Sequence, residues 1–204
     1  MNDATAFVLA GGQSSRMGSD KALLPWAGET LLVRALTIAR DTCGQVMICG
    51  SRSRYGKFGK VIEDTEPGRG PLSGIQSALH ATQTELNLIL SVDLPLMQAA
   101  FLRWLLEQAG VGEQSITAPE ALGTLQPLCA VYNRQACDIV DTAIGEGDLK
   151  VTRLFRRVSA RIIGEHEIRA AGFDPSIFTN VNTPQDYESL LTLSAHGMIE
   201  PRHE

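Results

Sequence analysis

The chain has 204 residues, 44% of them hydrophobic and 20% charged, with a formal net charge of −5. This is ordinary globular composition, long enough to bury a core without disulfides, and one domain is the expectation for the length. The acidic balance, with no block of like charges, argues against a nucleic-acid partner, and no apolar run approaches the ~18 residues of a membrane helix.

Met1-Asn2-Asp3 leads into a strand with no basic n-region or small-residue cleavage site, so a cytoplasmic protein is expected. The first predicted strand, Ala6–Leu9, runs into the glycine-rich loop AGGQSSRMGSDK. Gly11 and Gly12 let the backbone turn sharply and approach a ligand. Successive loop N–H groups can converge on anionic oxygens, with Arg16 and Lys21 adding full positive charge. The implied ligand is a nucleoside polyphosphate. Neither G-x-x-x-x-G-K-[ST] nor G-x-G-x-x-G occurs here, so neither a P-loop nor a dinucleotide fingerprint is supported.

A helix over Leu31–Cys43 follows, with Leu32, Ala35, Leu36 and Ala39 on one stripe. Strands at Val46–Cys49 and Lys60–Ile62 come next, then a helix over Leu72–Ala81 and a strand at Leu88–Val92. Further helices read at Ala99–Ala109, Arg134–Gly145 and Pro184–Leu193, with strands near Ser115–Ala118, Leu128–Tyr132 and Arg161–Ile163. In the last helix Thr183, Pro184 and Asp186 read as N-cap, N1 and an acidic first turn. This alternation predicts an α/β fold with a mainly parallel sheet flanked by helices.

Ligands in such sheets lie beyond the carboxyl ends of the strands. That rule selects Ala10–Lys21, Cys49–Ser51, Asp64 and Asp93. Asp93, in SVDLP, is a candidate Mg²⁺ ligand, since Mg²⁺ takes one or two carboxylates plus substrate phosphates. A strand-end Asp also serves as a helix N-cap. Asp64 has the same placement and could bind ribose hydroxyls, orient the metal site or form an Asx turn. The loop from Gly68 to Gly74, which includes Arg69 and Gly70, opens a helix whose N-terminus suits a base edge or phosphate. Asn180 and Asn182, at alternate positions of an extended segment, would point the same way and offer amides to a polar heterocycle or phosphate, or one of them could serve only as a local cap or turn former. Cys43, Cys49, Cys129 and Cys137 show no C-x-x-C spacing and read as reduced core thiols. His80, His166, His196 and His203 are scattered and read as surface or helix-face residues.

LAGGQSSRMGSDKALL, GPLSG, SVDLP, QPLCAVY and FTNVNTPQD, in order from Leu9 to Asp186, together resemble the molybdenum cofactor guanylyltransferases. The first block is shared with sugar-nucleotide, isoprenoid-pathway and cytidylyl enzymes, and FTNVNTP is the discriminating piece. The resemblance implies a Rossmann-like nucleotidyltransferase fold in one domain over residues 1–195, with a nucleotide-binding half (about 1–95) and an acceptor-binding half (about 96–195); the tail, 196–204, lacks periodicity and is expected to be frayed. It implies GTP and Mo-molybdopterin as substrates, Mg²⁺ as cofactor, and transient contact with molybdoenzymes or their chaperones. Carried over residue by residue, Leu9, Ala10, Gly11, Gly12 and Lys21 would contact GTP, Asp64 the nucleotide, and Asp93 the Mg²⁺. Arg16, Gly70, Gly74, Asn180 and Asn182 would line the pterin side, and Arg16, Lys21 and Asp93 would be catalytic. Three departures bear on base selectivity more than on reaction type: Cys49-Gly50 where some relatives carry an Asn, Ser19-Asp20 before Lys21, and Gln126 before Pro127. CTP or a sugar 1-phosphate as substrate, and a non-catalytic nucleotide- or cofactor-binding module, are the alternatives.

Overall fold

Ala4–Leu9 form the central strand β1, and every residue of it is buried. A strand covered on both faces reads as a continuous apolar run rather than as an alternation. The computed structural model describes residues 4–11, 20–64 and 69–195. Gly12, Arg16, Gly68 and the tail 196–204 therefore lie outside the described residues.

After β1 come a 3-10 turn at Lys21–Leu23 and a small hairpin of β2 (Pro25–Trp26) and β3 (Glu29–Thr30). Helix α1 (Leu31–Arg40), β4 (Gln45–Cys49), the short α2 (Arg52–Tyr55), β5 (Val61–Ile62), α3 (Pro71–Ala81) and β6 (Leu86–Ser91) complete the first half. The second half holds α4 (Ala99–Ala109), β7 (Ile116–Ala121), β8 (Thr124–Leu125), β9 (Cys129–Asn133), α5 (Cys137–Gly145) and α6 (Val151–Leu154). It ends with β10 (Ala160–Ile163), α7 (Glu165–Ala170) and α8 (Pro184–Ala195).

The main sheet runs β10-β7-β9-β6-β1-β4-β5, with β8 paired to β7. All neighbours along it are parallel except β9, which is antiparallel to both β6 and β7. The predicted mainly parallel sheet is therefore found, with one reversed strand.

Side chains alternate across β1, and each face feeds its own core. Ala6 and Val8 pack with Leu32, Leu36, Phe101 and Leu105 from α1 and α4. Phe7 and Leu9 pack with Leu72, Ile75 and Val140 from α3 and α5. The stripe Leu32, Ala35, Leu36 and Ala39 is buried as expected. Helix α1 stops at Arg40, short of Cys43. A third cluster joins Trp26, Leu31, Leu96, Val181 and Leu190, and so draws the hairpin, the loop after β6 and the C-terminal segment together.

Four strand ends line up. Leu9 is in register with Cys49 and with Ser91, and Cys49 with Ile62. From β1 the chain moves out to β4 and β5, then crosses back to place β6 on the other side of β1. The switch point lies between β1 and β6, where α/β sheets open a crevice for ligands.

Candidate active site

Asp93 follows Ser91 at the end of β6, and its side chain is 19% exposed. Lys21 approaches from the opening 3-10 turn, with Nζ 3.3 Å from Asp93 Oδ2. The same ammonium donates to Asn182 Oδ1 at 3.1 Å. Three residues singled out separately in the sequence, from the first, middle and last parts of the chain, thus meet at the switch point.

The last segment is set in place by its backbone. Val181 N–H donates to Asp93 O at 2.9 Å, and Val181 itself is fully buried. Asn180 and Asn182, its flanking neighbours, are exposed. Thr183 caps α8: Asp186 N–H donates to Thr183 Oγ1 (3.1 Å), and Asp186 Oδ2 accepts from the N–H groups of Asn182 (2.9 Å) and Thr183 (2.8 Å). This reciprocal cap is a capping box with Asp at the third position. Those backbone bonds hold the Asp186 carboxyl below its usual range.

Asp64, past β5, lies beside two glycines. A methyl added at Gly11 would stand 4.0 Å from Asp64 Oδ2, and one added at Gly74 would stand 3.8 Å from Oδ1. Burial raises the Asp64 carboxyl. Gly74 is buried and its Cβ position is 3.3 Å from Leu9 Cδ2. It therefore sits with Leu9, Cys49 and Asp64 at the ends of β1, β4 and β5. Gly70 precedes α3 with φ +74°, a left-handed conformation suited to glycine, and Pro71 follows at the first helical position.

Two of the N–H groups at the start of the glycine-rich loop are already engaged. The N–H groups of Ala10 and Gly11 both donate to Cys49 O, at 3.0 and 3.1 Å, and Val92 N–H donates to Leu9 O at 3.3 Å. The ladder with β4 and β6 continues past Leu9 and consumes these groups, so they are not aimed at an anion. A methyl at Gly11 would stand in ordinary van der Waals contact with Gly50 Cα at 3.7 Å, so packing there leaves room for a side chain.

Sequence reasoning missed Tyr55. Its hydroxyl, from the one buried residue of α2, lies 2.9 Å from both carboxylate oxygens of Asp20 and 3.1 Å from Ala10 O. Ala10 and Asp20 flank the glycine-rich segment, so one phenol ties both of its ends. Burial and the Asp20 carboxylate push the Tyr55 hydroxyl up to about 12. A Tyr six residues past a strand end was the available signal, but its partners are distant in sequence. Cys49 is buried and its thiol is pushed well up by burial, so it is a packed thiol and not a nucleophile.

This fold is that of the nucleotidyltransferases. It matches the crystal structure of molybdopterin-guanine dinucleotide biosynthesis protein A from Archaeoglobus fulgidus with a TM-score of 0.83 at 22% identity, over 94% of this chain and 99% of that one. Residues 6–162 match the MobA-like NTP transferase domain, and the chain belongs to that family. A probable molybdenum cofactor guanylyltransferase from Carboxydothermus hydrogenoformans is 31% identical over 194 residues, 95% of this chain and 98% of that protein. One from Pelotomaculum thermopropionicum is 32% identical over 91% of each chain.

Proposed function

We propose that this nucleotidyltransferase joins GMP from GTP to the phosphate of Mo-molybdopterin, forming the guanine dinucleotide cofactor and releasing pyrophosphate. The observation that carries the reading is the meeting of Lys21, Asp93 and Asn182 at the switch point. The names of the two curated relatives support the choice of GTP and of the pterin acceptor.

An acceptor phosphate oxygen attacks the α-phosphorus of GTP. The P–O bond to the β-phosphate breaks, and the electron pair leaves with pyrophosphate. The attacking oxygen is already ionised at neutral pH, so no strong general base is required. The barrier is charge crowding around the α-phosphorus, which fixed cations relieve. Lys21 supplies one such cation. Arg16 is assigned a second, on the acceptor side. Leu9, Ala10, Gly11 and Gly12 shape the floor beneath the nucleotide, and Asp64 takes its sugar hydroxyls. Asn182 and Asn180 hold the pterin phosphate and heterocycle with Gly70, while Gly74, packed on Leu9 beside Asp64, shapes the nucleotide side.

The donor chemistry at Asp93 fits Mg²⁺: a strand-end carboxylate that is one-fifth exposed and already draws a cationic group to 3.3 Å. Asp93 would hold the ion, which supplies charge neutralisation on the triphosphate.

The test is pyrophosphate release by the purified protein with each NTP against Mo-molybdopterin and against a sugar 1-phosphate. Turnover is expected with GTP and Mo-molybdopterin. Preference for CTP would overturn the guanylyl assignment, and nucleotide binding without turnover on any acceptor would leave a binding module.

A further inference from the structure

Helices α3 and α5 pack side by side over one face of the sheet, and the core beneath them is apolar. Their outer rim is not. Gln76 and His80 stand four residues apart on α3, and Cys137 and Asp141 four residues apart on α5. Residues at that spacing share a helix face. Here the two faces meet: His80 Nε2 is 3.0 Å from Asp141 Oδ1, and Gln76 Nε2 donates to the same oxygen at 2.7 Å. Cys137 Sγ joins them, so that one donor atom each from His80, Cys137 and Asp141 lies within 4.8 Å of the others.

We propose that His80, Cys137 and Asp141 form a zinc-class metal site that bridges α3 and α5, separate from the nucleotidyl-transfer centre. Imidazole nitrogen, thiolate sulfur and carboxylate oxygen are the ligand types of Zn²⁺, and three protein ligands plus one solvent position is a recurrent zinc arrangement. Bonds of ~2.0–2.3 Å put tetrahedral ligand atoms roughly 3.3–3.8 Å apart. A movement of about 1 Å at the half-exposed rim brings the three donors to that spacing. Binding releases the Cys137 thiol proton to solvent, because the thiolate is the ligand. Gln76 holds Asp141 from the second layer, and such outer partners orient the ligands.

The placement separates this site from the crevice. Helix α3 starts at the ligand end of the sheet with Pro71, and His80 is in its last turn. Cys43, Cys49 and Cys129, by contrast, are buried in the cores and have no comparable group around them among the described residues. Cys137 departs from the core-thiol expectation, being half-buried, while His80 is the exposed helix-face residue expected, now with Asp141 beside it.

Titration of the metal-free full chain with Co²⁺, followed by displacement with Zn²⁺, tests the proposal. The expected result is a near-ultraviolet sulfur-to-cobalt charge-transfer band with visible bands of a four-coordinate ion, bleached by Zn²⁺. Oxygen ligands at the nucleotide centre give no such charge transfer. Cys137→Ser should abolish the band, and Gln76→Ala should weaken Zn²⁺ binding by about tenfold. His80→Ala provides the second reading should Cys137→Ser fail to fold: loss of the four-coordinate visible bands is expected. No charge-transfer band in the wild-type chain, or one that persists in Cys137→Ser, or unaltered visible bands in His80→Ala, would overturn it. None of these outcomes depends on which nucleotide or acceptor the enzyme uses.

Discussion

Lys21 occupies the position from which most of the site's chemistry can be probed, because its ammonium touches both Asp93 and Asn182. Replacing it by Ala should lower kcat by on the order of 10²–10³, the loss typical of one preorganised electrostatic group, while circular dichroism stays unchanged. Asp93→Ala should fall by a similar factor and lose its response to added Mg²⁺. Asn182→Ala should raise the KM of the acceptor and spare that of GTP; equal losses for both would contradict the division of the site. Tyr55→Phe removes only the hydroxyl that ties Ala10 and Asp20. With a buried acceptor left short of its donor, stability should drop by about 1–3 kcal/mol in urea titrations. The KM for GTP should rise with it, which a merely structural role would not produce. The lysine, the aspartate and the asparagine were legible because each sits in a motif at a strand end or helix start. Tyr55 was not, since its importance comes from Asp20, whose side chain it meets only through the fold.

Elements built from long apolar or periodic runs were readable in advance. Strand β1 and helix α1 advertise themselves through ATAFVL and the stripe at Leu32, Ala35, Leu36 and Ala39. The β2–β3 hairpin is too short for any period, and its turn rests on Ala27 and Gly28 at φ +47° and +86°, an Ala-Gly pair that carries little turn signal. Helix α2, RSRY, has no side-chain cap and no apolar stripe to announce it. The α8 cap was readable, and it makes a direct prediction. Thr183→Ala should cost about 1 kcal/mol and expose α8 amides to hydrogen exchange. Asp186 adds a pH dependence of known sign. Its folded value is depressed by the backbone bonds, so its contribution is complete above the unfolded value near 4 and is lost as pH falls through the lower folded value. Thermal melts of wild type and Asp186→Asn should therefore differ at neutral pH and converge in acid.

Across the whole molecule, the sheet supplies rigid strand ends while the C-terminal segment completes the crevice. That segment is docked by aromatic packing: Phe101 of α4 meets Phe178 edge-on at 5.1 Å and Phe173 edge-on at 5.3 Å between ring centroids. Phe101→Ala should destabilise the protein by about 3–5 kcal/mol in denaturant melts. The milder Phe101→Leu should keep the fold and raise the acceptor KM, because Phe178 lies just ahead of Asn180 and Asn182. The parallel order of β1, β4, β5 and β6 followed from strand–helix alternation. The antiparallel insertion of β9 between β6 and β7 did not, because pairing partners far apart in sequence leave no local mark. Lys21 and Asn182 are separated by 161 positions, and the matched family domain ends at residue 162. A chain still emerging from the ribosome can therefore pair β1, β4, β5 and β6 long before the asparagine arrives, so the newborn protein lacks a finished reaction chamber until that distant segment has followed.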